Sequence, residues 1–205
     1  MLKYLTTFFL VFFLVFAPVV ANSSEDAQVQ ALSSTQMARE VVVKLVSQNP
    51  RIGSTCSAVV IAENKALTAA HCLSIPNKAI KYDDGRIFPV RIALPDIMGR
   101  DMATLFVPGL VGPTAITTTA RIEEDELVYA VGYPYGFGNV LTVGNFQFRI
   151  YDPLEDKYYL MSTVMIAPGN SGGALFVVRD GIPYLVGIVV AYVGSQYLAV
   201  AVELP

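Results

Sequence analysis

The 205-residue chain carries 14 Lys+Arg against 17 Asp+Glu, a net charge of -3, and is 54% hydrophobic. That apolar content excludes a disordered chain and suffices for one domain of ordinary size or two small ones. The acidic balance argues against nucleic-acid binding. One histidine and two cysteines exclude metal centres built from several imidazoles or four thiolates, and leave room for a single disulfide.

Taken in chain order, residues 1–21 hold one charge, Lys3, followed by an apolar run from Phe8 to Ala17 and a small residue, Ala21, before Asn22. This pattern predicts a secretory signal peptide cleaved after Ala21, and so a periplasmic or extracellular protein. Left uncleaved, the same segment is only just long enough to anchor the chain in a membrane. Residues 22–35 are rich in Ser, Gln and Ala and read as a flexible leader.

From residue 36 the pattern has period two. Val41, Val43 and Leu45 alternate with Val42, Lys44 and Val46, and short apolar runs then recur to Val190. Turn signals separate them, among them Asp83-Asp84-Gly85, Gly112-Pro113, Asp152-Pro153 and Asp180-Gly181. Many short strands rich in β-branched residues predict an all-β sandwich or barrel. Only Ala120–Glu126 offers a helix, a short one. Gly112–Thr119 is the best linker, dividing the folded part into halves at 36–113 and 114–205.

Chemistry concentrates in three places. Leu67-Thr68-Ala69-Ala70-His71-Cys72 holds the one histidine. Cys56, sixteen residues upstream of Cys72, is close enough along the chain for a disulfide that pins the segment carrying His71. Ala167-Pro168-Gly169-Asn170-Ser171-Gly172-Gly173 reads either as a surface turn or as an exposed nucleophile loop, whose glycines let backbone N–H groups converge on one point. Asp101 precedes a strand, from which an aspartate can reach a histidine. It is also readable as a solvated acid, with Asp83, Asp84 and Asp96 as competitors. A cysteine nucleophile at Cys72 is disfavoured, because neighbours on a strand face opposite ways. Nothing suggests a metal or organic cofactor, and Glu123-Glu124-Asp125-Glu126 reads as a solvated turn rather than a calcium loop.

The order His, Asp, Ser, with Leu67–Cys72, Gly169–Gly173 and the turn Gly132-Tyr133-Pro134-Tyr135-Gly136, resembles the trypsin/chymotrypsin-fold serine peptidases, in particular the bacterial branch with the HtrA/DegP-type enzymes. The resemblance covers residues 36–205. It implies two antiparallel six-stranded β-barrels with the active site in the cleft between them. Catalytic residues His71, Asp101 and Ser171 are then expected, with an oxyanion hole from the N–H groups of Gly169 and Ser171. The implied substrate pocket involves Met165, Ile166, Val190, Ala191 and Tyr192, apolar and shallow, with no acid to select Lys or Arg. Asn170, where digestive relatives carry an aspartate, removes the ion pair of their zymogen switch. Protein or peptide substrates are the implied partners, with membrane contact only if the N-terminal segment stays uncleaved. The sequence assigns no oligomeric state. The alternative in another class is a catalytically silent scaffold with the same fold.

Overall fold

The computed structural model describes residues 23–205 apart from 119, 155 and 195–197, so the signal-peptide reading of residues 1–21 lies outside the described residues. The chain opens with helix α1 (Ser23–Glu40). Seven strands follow, β1 (Val42–Ser47), β2 (Thr55–Ala62), β3 (Lys65–Thr68), β4 (Lys78–Lys81), β5 (Ile87–Pro89), β6 (Ile92–Pro95) and β7 (Ala103–Phe106). Seven more complete it, β8 (Ile116–Thr117), β9 (Leu127–Gly132), β10 (Val140–Asp152), β11 (Lys157–Ser162), β12 (Ala174–Arg179), β13 (Ile182–Val193) and β14 (Leu198–Glu203). Among the described residues no helix is long and apolar enough to cross a membrane.

The strands form two sheets. The second runs β12-β9-β10-β11-β14-β13-β8, and a further β12–β13 pairing closes six of its strands into a barrel. The first runs β5-β4-β1-β2-β3-β7-β6 and curls on itself. Its two edge strands are one bent stretch of chain. Val90 donates to the Lys78 carbonyl beside β4, and Arg91 donates to the Phe106 carbonyl on β7. The stretch therefore changes partners between these two residues. This is the chymotrypsin-like two-barrel fold that the family resemblance implies, where the alternation alone implied an all-β sandwich or barrel.

Three apolar clusters hold it together. One fills the first sheet around Leu45, Val60, Ile80 and Leu105. Another fills the second around Val128, Leu160, Leu175 and Val177. The third joins Val42, Val59, Leu67 and Met102 to Val131, Tyr133, Phe176 and Ile188, and so glues the two sheets face to face.

Two expectations need correction. The segment expected as a flexible leader lies mostly within the 18-residue helix α1. Its composition lacks Gly and Pro and is rich in good helix formers, but it carries no apolar stripe to advertise burial. Among its described side chains the buried positions are Ser34 and Ala38, a turn apart. Ser34 Oγ donates to the Gly181 carbonyl at 2.6 Å, and Arg39 donates to the Asn139 carbonyl at 2.6 Å. Polar docking onto the second barrel thus replaces an apolar face. Ala120–Glu126, the one stretch that offered a helix, is not helical, and its acidic part Glu123–Glu126 contains the turn read there, leading into β9. Glu126 accepts the Glu123 N–H at 2.9 Å and pairs with Arg179 at 3.0 Å, tying the acidic turn to β12.

Candidate active site

His71 lies in a 3-10 turn (Ala70–Ser74) that follows β3. The small residues Ala69 and Ala70 let this turn pack against its surroundings, and Ala69 is fully buried. Asp101 stands just before β7, the strand that pairs with β3. The pairing brings the two side chains together. His71 Nδ1 is 2.8 Å from Asp101 Oδ2, and the His71 backbone N–H donates to Oδ1 at 2.9 Å. Both carboxylate oxygens thus engage one residue, fixing the ring's position as well as its tautomer.

The electrostatics follow from this contact. The hydrogen bond to Asp101 raises the pKa of His71 above its ordinary value, against the opposing pull of burial. Burial pushes Asp101 upward, but the hydrogen bonds from His71 together outweigh it and hold the carboxyl below its ordinary value. The competing aspartates are engaged elsewhere. Asp84 pairs with Arg86, Asp96 with Arg100, and Asp83 accepts the Tyr133 hydroxyl.

Cys56 and Cys72 form a disulfide. It links β2 to the turn that carries His71. Because His71 and Cys72 share a 3-10 turn rather than a strand, their side chains do not point to opposite faces as expected. The sulfurs and a ring nitrogen of His71 lie within 4.8 Å of one another. Oxidation, not orientation, removes Cys72 as a nucleophile, and it also removes both sulfurs as thiolate metal ligands.

Ser171 sits in the loop between β11 and β12. Gly169 and Gly172 adopt φ of +100° and +81°, which side-chain-bearing residues resist. The loop presses against the first barrel. The Ser57 N–H donates to the Ser171 carbonyl at 2.7 Å, and Cys72 Sγ lies 3.8 Å from the same oxygen. A Cβ on Gly172 would collide with the Ser57 carbonyl and the Thr68 hydroxyl. Ser171 Oγ lies 3.5 Å from the Val190 carbonyl, where β13 shifts register against β14. Among the described residues Ser171 and His71 are not hydrogen-bonded to each other. The N–H groups of Gly169 and Ser171 likewise have no acceptor among the described residues.

Beside Ser171 lies a cleft of about 280 Å³ lined by Ile166, Ala167, Pro168, Val189, Val190, Ala191 and Tyr192. Ile166, Val190, Ala191 and Tyr192, four of the five residues expected to form a substrate pocket, are among those lining this cleft. Met165 does not line the cleft. It is 76% exposed, and its carbonyl accepts the Thr142 hydroxyl. Ala167, Pro168 and Val189 were missed, although Pro168 stands directly before the glycine loop. A larger cavity of about 450 Å³, lined by Arg121, Phe146, Arg149 and Glu203 among others, includes none of His71, Asp101 or Ser171.

The family model of the trypsin-like peptidase domain matches residues 56–188. The chain belongs to this family. Probable periplasmic DegP-like serine endoproteases of Ectopseudomonas mendocina (strain ymp) and Pseudomonas savastanoi pv. phaseolicola (strain 1448A / Race 6) are each 35% identical to it over 79 residues. Those matches span 37% of this chain and only 17% and 16% of the relatives. Among solved structures, the serine endoprotease of Yersinia pestis superimposes with a TM-score of 0.70 at 22% identity, covering 84% of this chain and 62% of that one. A protease of M. tuberculosis in its active form gives 0.71 at 22%, covering 86% and 81%. The HtrA-type protease AlgW with a decapeptide gives 0.72 at 22%, covering 84% and 63%. At these identities the structural likeness establishes the shared fold.

Proposed function

We propose that the protein is an exported serine endopeptidase that hydrolyses protein or peptide substrates through Ser171, His71 and Asp101. The observation that carries the reading is the paired contact of Asp101 with the ring and backbone of His71, at 2.8 and 2.9 Å, beside a glycine-shaped serine loop. Ser171 Oγ attacks the substrate carbonyl carbon as its proton passes to His71 Nε2. Asp101 holds the Nδ1 proton and stabilises the imidazolium that forms. The N–H groups of Gly169 and Ser171 meet the developing oxyanion. The amide C–N bond then breaks as His71 protonates the leaving amine, and water releases the acyl group by the same route in reverse.

Ile166, Val190, Ala191 and Tyr192 form the walls of the primary pocket in this reading. None of its described lining residues is acidic, which supports a preference for small or medium aliphatic side chains over Lys or Arg. Residues 1–21 act as an export signal, and 36–113 and 114–205 are the two barrel units. Description of the sequence relatives as periplasmic supports export. A silent scaffold has no need of a doubly anchored histidine beside a glycine-shaped serine loop.

The test is hydrolysis of peptide substrates differing only in the residue before the cleaved bond. Valine or alanine there is expected to exceed lysine or arginine by at least tenfold in kcat/KM, with all activity lost in Ser171→Ala. Equal cleavage after lysine would contradict the pocket assignment. Activity surviving in Ser171→Ala would contradict the nucleophile.

A further inference from the structure

Ser57 lies on β2 next to the disulfide, fully buried, and three of its hydrogen bonds run to loops of the other barrel. Its N–H holds the Ser171 carbonyl at 2.7 Å. Its hydroxyl donates to the Gly169 carbonyl at 2.8 Å and accepts the Tyr133 N–H at 2.9 Å. We propose that Ser57 is a positioning residue, whose hydroxyl fixes the direction in which the Gly169 N–H points. The proposal rests on the reading of Ser171 as nucleophile and Gly169 as oxyanion donor.

In a trans peptide the C=O and N–H point opposite ways. The Pro168 carbonyl accepts the Tyr135 N–H at 2.6 Å, so the Gly169 N–H of the same plane is turned away from the Tyr133–Gly136 turn. The next plane is clamped on both sides, with Ser57 on the Gly169 carbonyl and the Ala167 carbonyl accepting the Asn170 N–H at 3.0 Å. Between the two planes sits a glycine at φ +100°, the residue with least resistance to rotation. Ser57 acts on one plane directly. It acts on the other through Tyr133, because the turn it anchors there delivers the Tyr135 N–H. Ser57 touches no reacting atom, so its effect passes through the donor.

Ser57→Ala keeps the backbone bond to Ser171 and removes only the hydroxyl. Losing an oxyanion donor outright costs about 100- to 1000-fold; loosening one is expected to lower kcat by roughly 10- to 100-fold, with KM within about twofold. Three readouts on the purified protein separate positioning from general damage. These are kcat against KM, the acidic limb of the pH profile, and affinity for a peptide aldehyde. In the last, Ser171 Oγ bonds to the aldehyde carbon, its proton passes to His71, and the former carbonyl oxygen meets the donors. The expected result is a parallel fall in kcat and aldehyde affinity, an unmoved acidic limb, and recovery of most activity in Ser57→Thr. Should Ser57→Ala fail to fold, Ser57→Cys, with its weaker donor, is expected to show a smaller loss of the same pattern. Parent-like kcat and aldehyde affinity in the variant would overturn the proposal, as would a change confined to KM or the acidic limb. A parent protein that neither cleaves nor binds the aldehyde would overturn the nucleophile reading beneath it, a different and recognisable failure.

Discussion

Asp101 commits both carboxylate oxygens to His71, one to the ring and one to the backbone. A residue held twice has little rotational freedom to lose when it becomes charged, and its partner's pKa records the contact. His71 acts as a base only when neutral, and Asp101 raises its pKa above 6.5. The acidic limb of kcat/KM is therefore expected above that value, with activity lost as pH falls through it. Asp101→Asn removes the raising partner, so the limb should move to lower pH while kcat falls about 10⁴-fold. A pH–rate profile of the two proteins checks this. An unmoved limb would mean that another group titrates. At Gly172, φ of +81° and the space taken by Ser57 and Thr68 exclude any side chain. Gly172→Ala should displace the serine loop and abolish cleavage, measured alongside circular dichroism to show that the barrels remain.

At the scale of elements, the disulfide and the β3–β7 pairing do complementary work. The pairing aligns His71 with Asp101, and the disulfide ties the His71 turn to β2, where Ser57 docks the serine loop. Cys56→Ser with Cys72→Ser should lower stability by about 3 kcal/mol, a fall in Tm of roughly 6–12 °C for a chain of this size. Thermal melts under oxidising and reducing conditions measure it directly, and coincident melts would contradict a stabilising role. Most strands were legible because their residues alternate, and the His71 and Ser171 segments stand out because small residues and glycines crowd around one histidine and one serine. Helix α1 was not, since its anchors are Ser34, Ala38 and Arg39, which carry no hydrophobic period. Nor were β3, hidden because Leu67 and Thr68 serve the strand and the His71 motif at once, β8, which falls within the expected linker Gly112–Thr119, and β14, which lies beyond the last apolar run at Val190. The outward position of Met165 depends on the Thr142 contact from β10, more than twenty residues away in sequence, and no local pattern encodes it.

Across the whole molecule, the two curled sheets meet along an apolar seam that includes Val42, Leu67, Tyr133 and Phe176. His71 and Asp101 come from one side of that seam and Ser171 from the other. The geometry of the proposed triad is thus a property of barrel docking rather than of either barrel. The same arrangement explains why a buried serine on β2 can govern a loop before β12. The proposed export would set an oxidising environment in which the disulfide forms. Expressed in a cell with a secretory pathway, the mature protein is expected to begin at Asn22, as N-terminal sequencing would show. A mature chain retaining Met1 would favour a membrane anchor instead.

In the proposed reading Ser171, His71 and the oxyanion donors form one assembled nucleophilic site. Covalent labelling with a fluorophosphonate probe, read by intact mass with Ser171→Ala as control, tests it. Ser171 Oγ displaces fluoride at phosphorus, so one adduct per chain is expected, located on Ser171 and absent from the variant. A folded, disulfide-bonded protein that takes up no probe, or labels equally in Ser171→Ala, would contradict it.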